Sequence, residues 1–335
     1  MYCWEEGAVC GNCSMVLRDN QTIIFSVSDT SILSFVSVLF SLLGCLLNII
    51  TISALLLFRR VRRHVTTLFI LSVNFADLLY SLFILPMLSI RFITRRAERE
   101  LWSGFCEIFP VLFYLILGAS ILSLMSVTVN RTCILLFQER MEKFFTTKVR
   151  ITIVLVCWLI PFLLLIPPMR GTYGTINLKP YTQACTVMMD SSGNSPKSLL
   201  YNIFVFIPCS IMIICNIVIF IKVRSIRLSG IVTESTRAEN IFLLMIFGVF
   251  LFFVVTLIPS WAVDKFDTCF QYPSLHAFAY ILNWSGVIVN PMIFMITQGS
   301  YRDAVRALVR KLFLMMQHKD KTETTVMHME SYEIS

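Results

Sequence analysis

The chain has 335 residues, 57% of them hydrophobic and only 14% charged, with a net charge of +8 and a mean hydropathy of +0.78. Soluble domains carry about 25% charged residues, so a single water-soluble globule is excluded and the apolar excess must lie in runs long enough to cross lipid. The basic residues form short clusters between those runs, which fits topology signals and anionic membrane lipid and argues against nucleic acid as a partner.

Residues 1–31 are polar and include Glu5, Glu6, Asp19 and Asp29, with no basic stretch leading into a short apolar core, so no cleavable signal peptide is expected. Seven apolar segments follow within 32–297: Ile32–Leu57, Thr66–Ile90, Gly104–Phe137, Thr152–Pro168, Ser198–Val223, Ile241–Val263 and Ser274–Thr297. Most reach the ~20 residues of a spanning helix, and the fourth is the shortest. Neither strand alternation nor a repeat is evident. The expected fold class is an all-α membrane protein, a seven-transmembrane helix bundle.

Beyond Thr297, Gly299 is read as a helix break and Ser300-x-x-Asp303 as a new N-cap. Tyr301, Val305, Leu308 and Leu312 recur on one face, with Arg302, Arg306, Arg310 and Lys311 on others. That pattern predicts a short amphipathic helix over 298–316 lying along anionic lipid, followed by a cytoplasmic tail over 317–335. Thr322, Thr324, Thr325 and Ser331 in that tail are candidate kinase or arrestin sites.

An outside N-terminus puts 19 of the 28 lysines and arginines on the inner side, although the four arginines of 91–99 run against the bias. A multi-pass plasma-membrane protein with its N-terminus outside is expected. The N-x-[ST] sequons at Asn12 and Asn20 then face the glycosylating compartment. Cys3, Cys10, Cys13, Cys106, Cys185 and Cys269 fall on the oxidising side, an even number. A bridge between Cys106 and Cys185 is expected, and the pairing of the other four is open.

The third segment organises the rest. Between Cys106 and Arg131 lie 25 residue steps, about 37 Å of helix against a hydrocarbon core of ~30 Å. One helix thus holds a cysteine at one face and an arginine at the other. Asp77 is the acidic residue deep in the second segment, ~16 Å from its start, a depth at which an ionisable group is a functional hypothesis by default.

No H-E-x-x-H, G-x-S-x-G or phosphate-binding glycine loop is present, so an enzyme is not expected. Seven spans with one deep carboxylate also lack the paired halves and multiple charges of a transporter.

The joint set of Asn48, Asn74-Phe75-Ala76-Asp77, Cys106, Arg131, Trp158, Pro208, Pro259 and Asn290-Pro291 resembles that of rhodopsin-like G-protein-coupled receptors over nearly the whole chain. Cys106-Glu107-Ile108-Phe109-Pro110-Val111, Val129-Asn130-Arg131, Pro167-Pro168 followed by Gly171 and Gly174, and Tyr272-Pro273-x-x-His276 are similar to the invertebrate Moody and Trapped-in-endoderm subgroup. That resemblance implies a receptor passing an extracellular signal to heterotrimeric G proteins, with roles in cell migration, polarity or barrier formation. It also implies sodium held by Asp77, Ser120 and Asn290, the alternative being a protonated Asp77 bonded to Asn290 without an ion. No other cofactor is expected.

At the inner face, Arg131 and Glu239 are expected to pair across spans three and six, with Pro208, Pro259 and Pro291 as hinges. The expected ligand pocket comprises Phe113, Tyr114, Leu117, Tyr201, Trp261, Asp264, Asn283 and Trp284, with Arg170 in the outer loop, and would suit a lipid or acidic amphiphile. Phe113 stands where amine receptors carry an aspartate.

The chain departs from the family at Asn130 (usually acidic), Thr132, Leu257, Asn216 and Phe294, the last two replacing tyrosines. A non-signalling membrane scaffold of receptor ancestry is therefore the competing expectation.

Overall fold

A computed structural model describes residues 25–58, 65–94, 99–137, 139–179, 184–188, 196–228, 234–266, 271–297, 299 and 301–311. Seven of its helices are long and apolar enough to cross a membrane. They are span one (Val27–Leu57), span two (Thr67–Thr94), span three (Gly104–Phe137), span four (Thr147–Met169), span five (Pro196–Ser225), span six (Leu243–Asp264) and span seven (Pro273–Ile296). Residues 301–311 form a further helix.

The helices run past the apolar segments that mark them in the sequence. Span one begins at Val27, not Ile32, because Ser26 and Asp29 form a capping box: the Asp29 N–H donates to Ser26 Oγ at 3.0 Å, and the Ser26 N–H donates to Asp29 Oδ2 at 3.3 Å. Span four begins at Thr147, where the Thr146 hydroxyl accepts from the Val149 N–H. Its 23 residues are comparable with the 22 of span six, so the expectation of a short fourth span is corrected. Lys148 and Arg150 end the hydrocarbon, not the helix, since charged residues are good helix formers. The helix containing span six likewise reaches from Glu234 to Phe266.

Local breaks follow local chemistry. Five-residue π turns interrupt span two at Tyr80–Ile84 and span five at Asn202–Phe206. Span seven starts on Pro273, suited to a first helical position, and is interrupted at Ser285 beside Gly286. The span-seven helix ends at Thr297 and Gly299 is itself helical, while residues 298 and 300, the latter the expected N-cap Ser300, lie outside the described residues.

Strands are present, against expectation. In the span four to five connection, β1 (Thr175–Lys179) pairs antiparallel with β2 (Ala184–Met188), with Leu178 opposite Cys185. Gly171 and Gly174 lead in with φ of 67° and 75°, where other residues are strained. A Cβ on Gly174 would also collide with Pro196.

Span three is the axis of the bundle, packing on spans two, four, five and six and on both strands. Lipid is as apolar as leucine, so close approach and polar contacts hold such helices together. Span one supplies both: a Cβ on Gly44 would strike Ser81 and Val287, and Asn48 Nδ2 donates to Val287 O at 2.9 Å. Leu155, Leu159, Phe162 and Leu163 of span four remain exposed, a face suited to hydrocarbon.

Candidate functional site

The functional side chains lie at three levels along span three. At the first, a disulfide joins Cys106 to Cys185 and fixes β2 over the bundle. Val187 of β2 is buried with Tyr114, Leu165, Leu200, Phe204 and Leu257, so the hairpin closes that end of the helix cluster. Phe113 packs on Phe109, Tyr80 and Tyr114 with ring centroids at 6.1, 6.2 and 5.3 Å. Leu117 and Tyr201 pack against the same cluster. Trp261 meets Phe206 edge to face at 5.4 Å.

Asp264, partly exposed, is the polar centre of this level. The Tyr280 hydroxyl donates to its Oδ1 at 3.3 Å, His276 Nδ1 lies 3.7 Å from that oxygen, and Lys197 Nζ lies 4.0 Å from Oδ2. One carboxylate of span six therefore links spans five and seven. Lys197 also lies 5.9 Å from the Tyr201 ring centroid.

Asp264 is among the expected pocket residues but Lys197, His276 and Tyr280 are not, although the four-residue spacing of His276 and Tyr280 puts them on one face. Arg91, counted in the sequence among the arginines of the following connection, instead continues span two beyond the predicted end at Ile90 and lies within electrostatic reach of Tyr280. Trp284 is buried toward spans one and two, near Phe92 and against Tyr280, rather than opening on Asp264. Asn283 is half-buried on span seven. Arg170 is exposed at the end of span four, and among the described residues no ion pair is formed by it.

At the middle level, Asn290 Nδ2 donates to Asp77 Oδ2 at 2.9 Å and the Ser120 hydroxyl lies near the same carboxyl. The Ser81 hydroxyl donates to the Asp77 backbone carbonyl at 2.8 Å. The three residues expected to act together are brought together. A carboxylate and a hydroxyl are hard-cation donors, but Asn290 turns its NH2, not its oxygen, toward Asp77. No cluster of three or more His, Cys, Asp or Glu suited to metal occurs among the described residues.

The third level is the opposite end of span three. Arg131 is buried at 8% exposure and Asn130 at 1%, with neither amide atom of Asn130 hydrogen-bonded. The Thr132 hydroxyl donates to its own helix at Thr128 O. Glu239 is helical, but its side chain, and so its pairing with Arg131, lies outside the described residues; so do Asn12, Asn20, Cys3, Cys10, Cys13 and Cys269. Phe294 is buried in the core at this end, and Asn216 Nδ2 donates to Met212 O. Pro208 follows the π turn of span five, Pro259 lies within span six and Pro291 within span seven. Directly after Pro259, the Ser260 hydroxyl donates to Ala279 O at 2.8 Å and ties span six to span seven.

The sequence profile of the 7 transmembrane receptor (rhodopsin family) matches residues 47–294, most of the chain and all three levels. The chain is a rhodopsin-family receptor. It is 30% identical over 311 residues to "Protein trapped in endoderm-1" of Drosophila melanogaster, covering 84% of this chain and 78% of that one. It is 25% identical to "G-protein coupled receptor moody" of the same fly, covering 85% of this chain and 52% of that receptor's length, so it spans about half of the latter. The D(1B) dopamine receptor of Xenopus laevis matches more narrowly, at 26% over 200 residues, 58% of this chain and 42% of that one. The receptor thus falls with the Moody and Trapped-in-endoderm subgroup, in a family that is not enzymatic, whose partners are G proteins and extracellular ligands.

Proposed function

We propose that this receptor sits in the plasma membrane with its N-terminus outside and transmits an extracellular lipid or acidic amphiphile to heterotrimeric G proteins, in cell migration or polarity. The observation that carries the coupling step is Arg131, buried at the end of span three opposite the disulfide with Asn130 in place of an adjacent acid. Rotation of span six about Pro259 is the natural way to expose this buried guanidinium to a G protein. Glu239 of span six is its resting partner in this reading.

At the other end, the apolar and aromatic cluster of Phe113, Tyr114, Leu117 and Tyr201 would take the hydrocarbon part of the ligand. Lys197 and Arg91 are nearer to this level's polar centre than Arg170 and are the better candidates for an acidic group. Sodium held by Asp77 and Ser120 would favour the resting state. Arrestin and anionic lipid are proposed partners of the tail and of helix 301–311.

A cell-based assay against each class of G protein, comparing wild type with Arg131→Ala and Glu239→Ala, tests the reading. Coupling by wild type and raised basal activity in Glu239→Ala support it. A wild type that couples to no class supports the alternative, a membrane scaffold, which the departures at Asn130, Asn216 and Phe294 favour.

A further inference from the structure

Tyr301 opens helix 301–311 and is buried at 2% exposure, in one cluster with Ala54 and Leu55 of span one, Phe69 and Ile70 of span two and Phe294 of span seven. Helix 301–311 is thus keyed into the bundle by an aromatic side chain. Phe294, its neighbour in that cluster, carries no hydroxyl, whereas Tyr301 does. The phenol lies against the hydroxyl of Thr51, which is 0% exposed, yet neither oxygen completes a well-formed hydrogen bond among the described residues. Burial pushes the phenol pKa up, so Tyr301 stays a proton donor.

Two facing buried hydroxyls that do not close a bond are costly as they stand, and buried polar groups in folded proteins are nearly always satisfied. A small shift of helix 301–311 against span one would pair them. The arrangement described has Arg131 buried, which is the resting arrangement in the reading above.

We infer that Tyr301 and Thr51 form a hydrogen bond between the amphipathic helix and span one when the receptor couples, making Tyr301 a positioning residue for the G-protein-engaged state. The inference rests on the proposed coupling through Arg131. It assigns the phenol's contribution to the helix after span seven, in a chain where span seven itself offers Phe294 at this level.

The test uses the full-length receptor in membranes, reading ligand-independent nucleotide exchange on the G-protein class that wild type activates, beside the melting temperature of the purified receptor alone. Tyr301→Phe keeps the ring and its packing. It should lower exchange about fivefold, the population change carried by one net hydrogen bond, at equal surface expression. Thr51→Val should do the same, and the double variant should be no worse than either single one, as expected for one shared contact. The melting temperature of Tyr301→Phe should be unchanged or raised, because an unsatisfied hydroxyl has been removed. Exchange equal to wild type, additive losses, or a lowered melting temperature would each overturn the inference. A wild type that activates no G protein would overturn the coupling reading first, and this inference with it.

Discussion

Asn290 of span seven donates its amide to the carboxylate of Asp77 in span two at 2.9 Å, with the Ser120 hydroxyl of span three nearby. Three helices therefore meet on one buried acid at mid-membrane. In lipid such a contact is worth about 0.6–2 kcal/mol, enough to set the relative position of spans that apolar surface alone leaves free to slide.

If that acid holds sodium, the purified receptor should melt at a higher temperature in sodium chloride than in choline chloride, and Asp77→Asn should abolish the difference. Equal melting temperatures in the two salts would leave the alternative, a carboxyl bonded to Asn290 without an ion. Asn290→Leu should destabilise the receptor by about 1–3 kcal/mol in either salt, because it leaves a buried carboxyl short of a partner.

The disulfide makes a separate prediction. Cys106 and Cys185 are 79 residues apart in sequence, and closing a loop of that size removes unfolded-state freedom worth about 4.5 kcal/mol in the chain-entropy account. Cys106→Ala and Cys185→Ala should each reduce surface expression, and the double variant should fare no worse than either. Normal surface levels in the single variants would show that Val187 and the hairpin hold without the bridge.

At the polar centre near the disulfide end, Asp264 is contacted at 3.3, 3.7 and 4.0 Å by groups of differing exposure. The Lys197 contact is partly exposed, so Lys197→Gln should cost under ~1 kcal/mol. Asp264→Ala should cost more, because it removes the acceptor of Tyr280 and the neighbour of the fully buried His276. Thermal denaturation of the two variants ranks them, and a larger loss from Lys197→Gln would contradict this order.

Gly44 carries a prediction about packing. Its missing Cβ admits Ser81 of span two and Val287 of span seven. Gly44→Val should force span one outward and lower the melting temperature by several degrees, the shift expected of an overpacking cost of about 1–3 kcal/mol. Gly248→Ala meets nothing within 4 Å and should be silent.

The sequence made the seven spans legible because lipid demands about 20 apolar residues from each. It hid their ends, because Thr147, Lys148 and Arg150 and the first residues of the Glu234 helix are polar without being non-helical. It hid the hairpin too: β1 and β2 have five residues each, too short for alternation to stand out, and their pairing is held by the disulfide and by Val187 against the bundle. Asp77, Ser120 and Asn290 were legible because depth along a helix follows from counting residues. Which way a side chain faces does not follow from its position along a span that carries polar residues at scattered positions, as span seven does; Trp284 was therefore expected at the pocket, and His276 and Tyr280 were not.

The central claim is that Arg131, buried beside a neutral Asn130, is the coupling switch. The direct measurement is nucleotide exchange by purified G protein of the class that wild type activates, on membranes carrying equal surface amounts of wild type and Arg131→Ala. The account predicts a loss of about tenfold or more, the effect of removing ~1.4 kcal/mol of preference for the engaged state. Exchange by Arg131→Ala equal to wild type would contradict it.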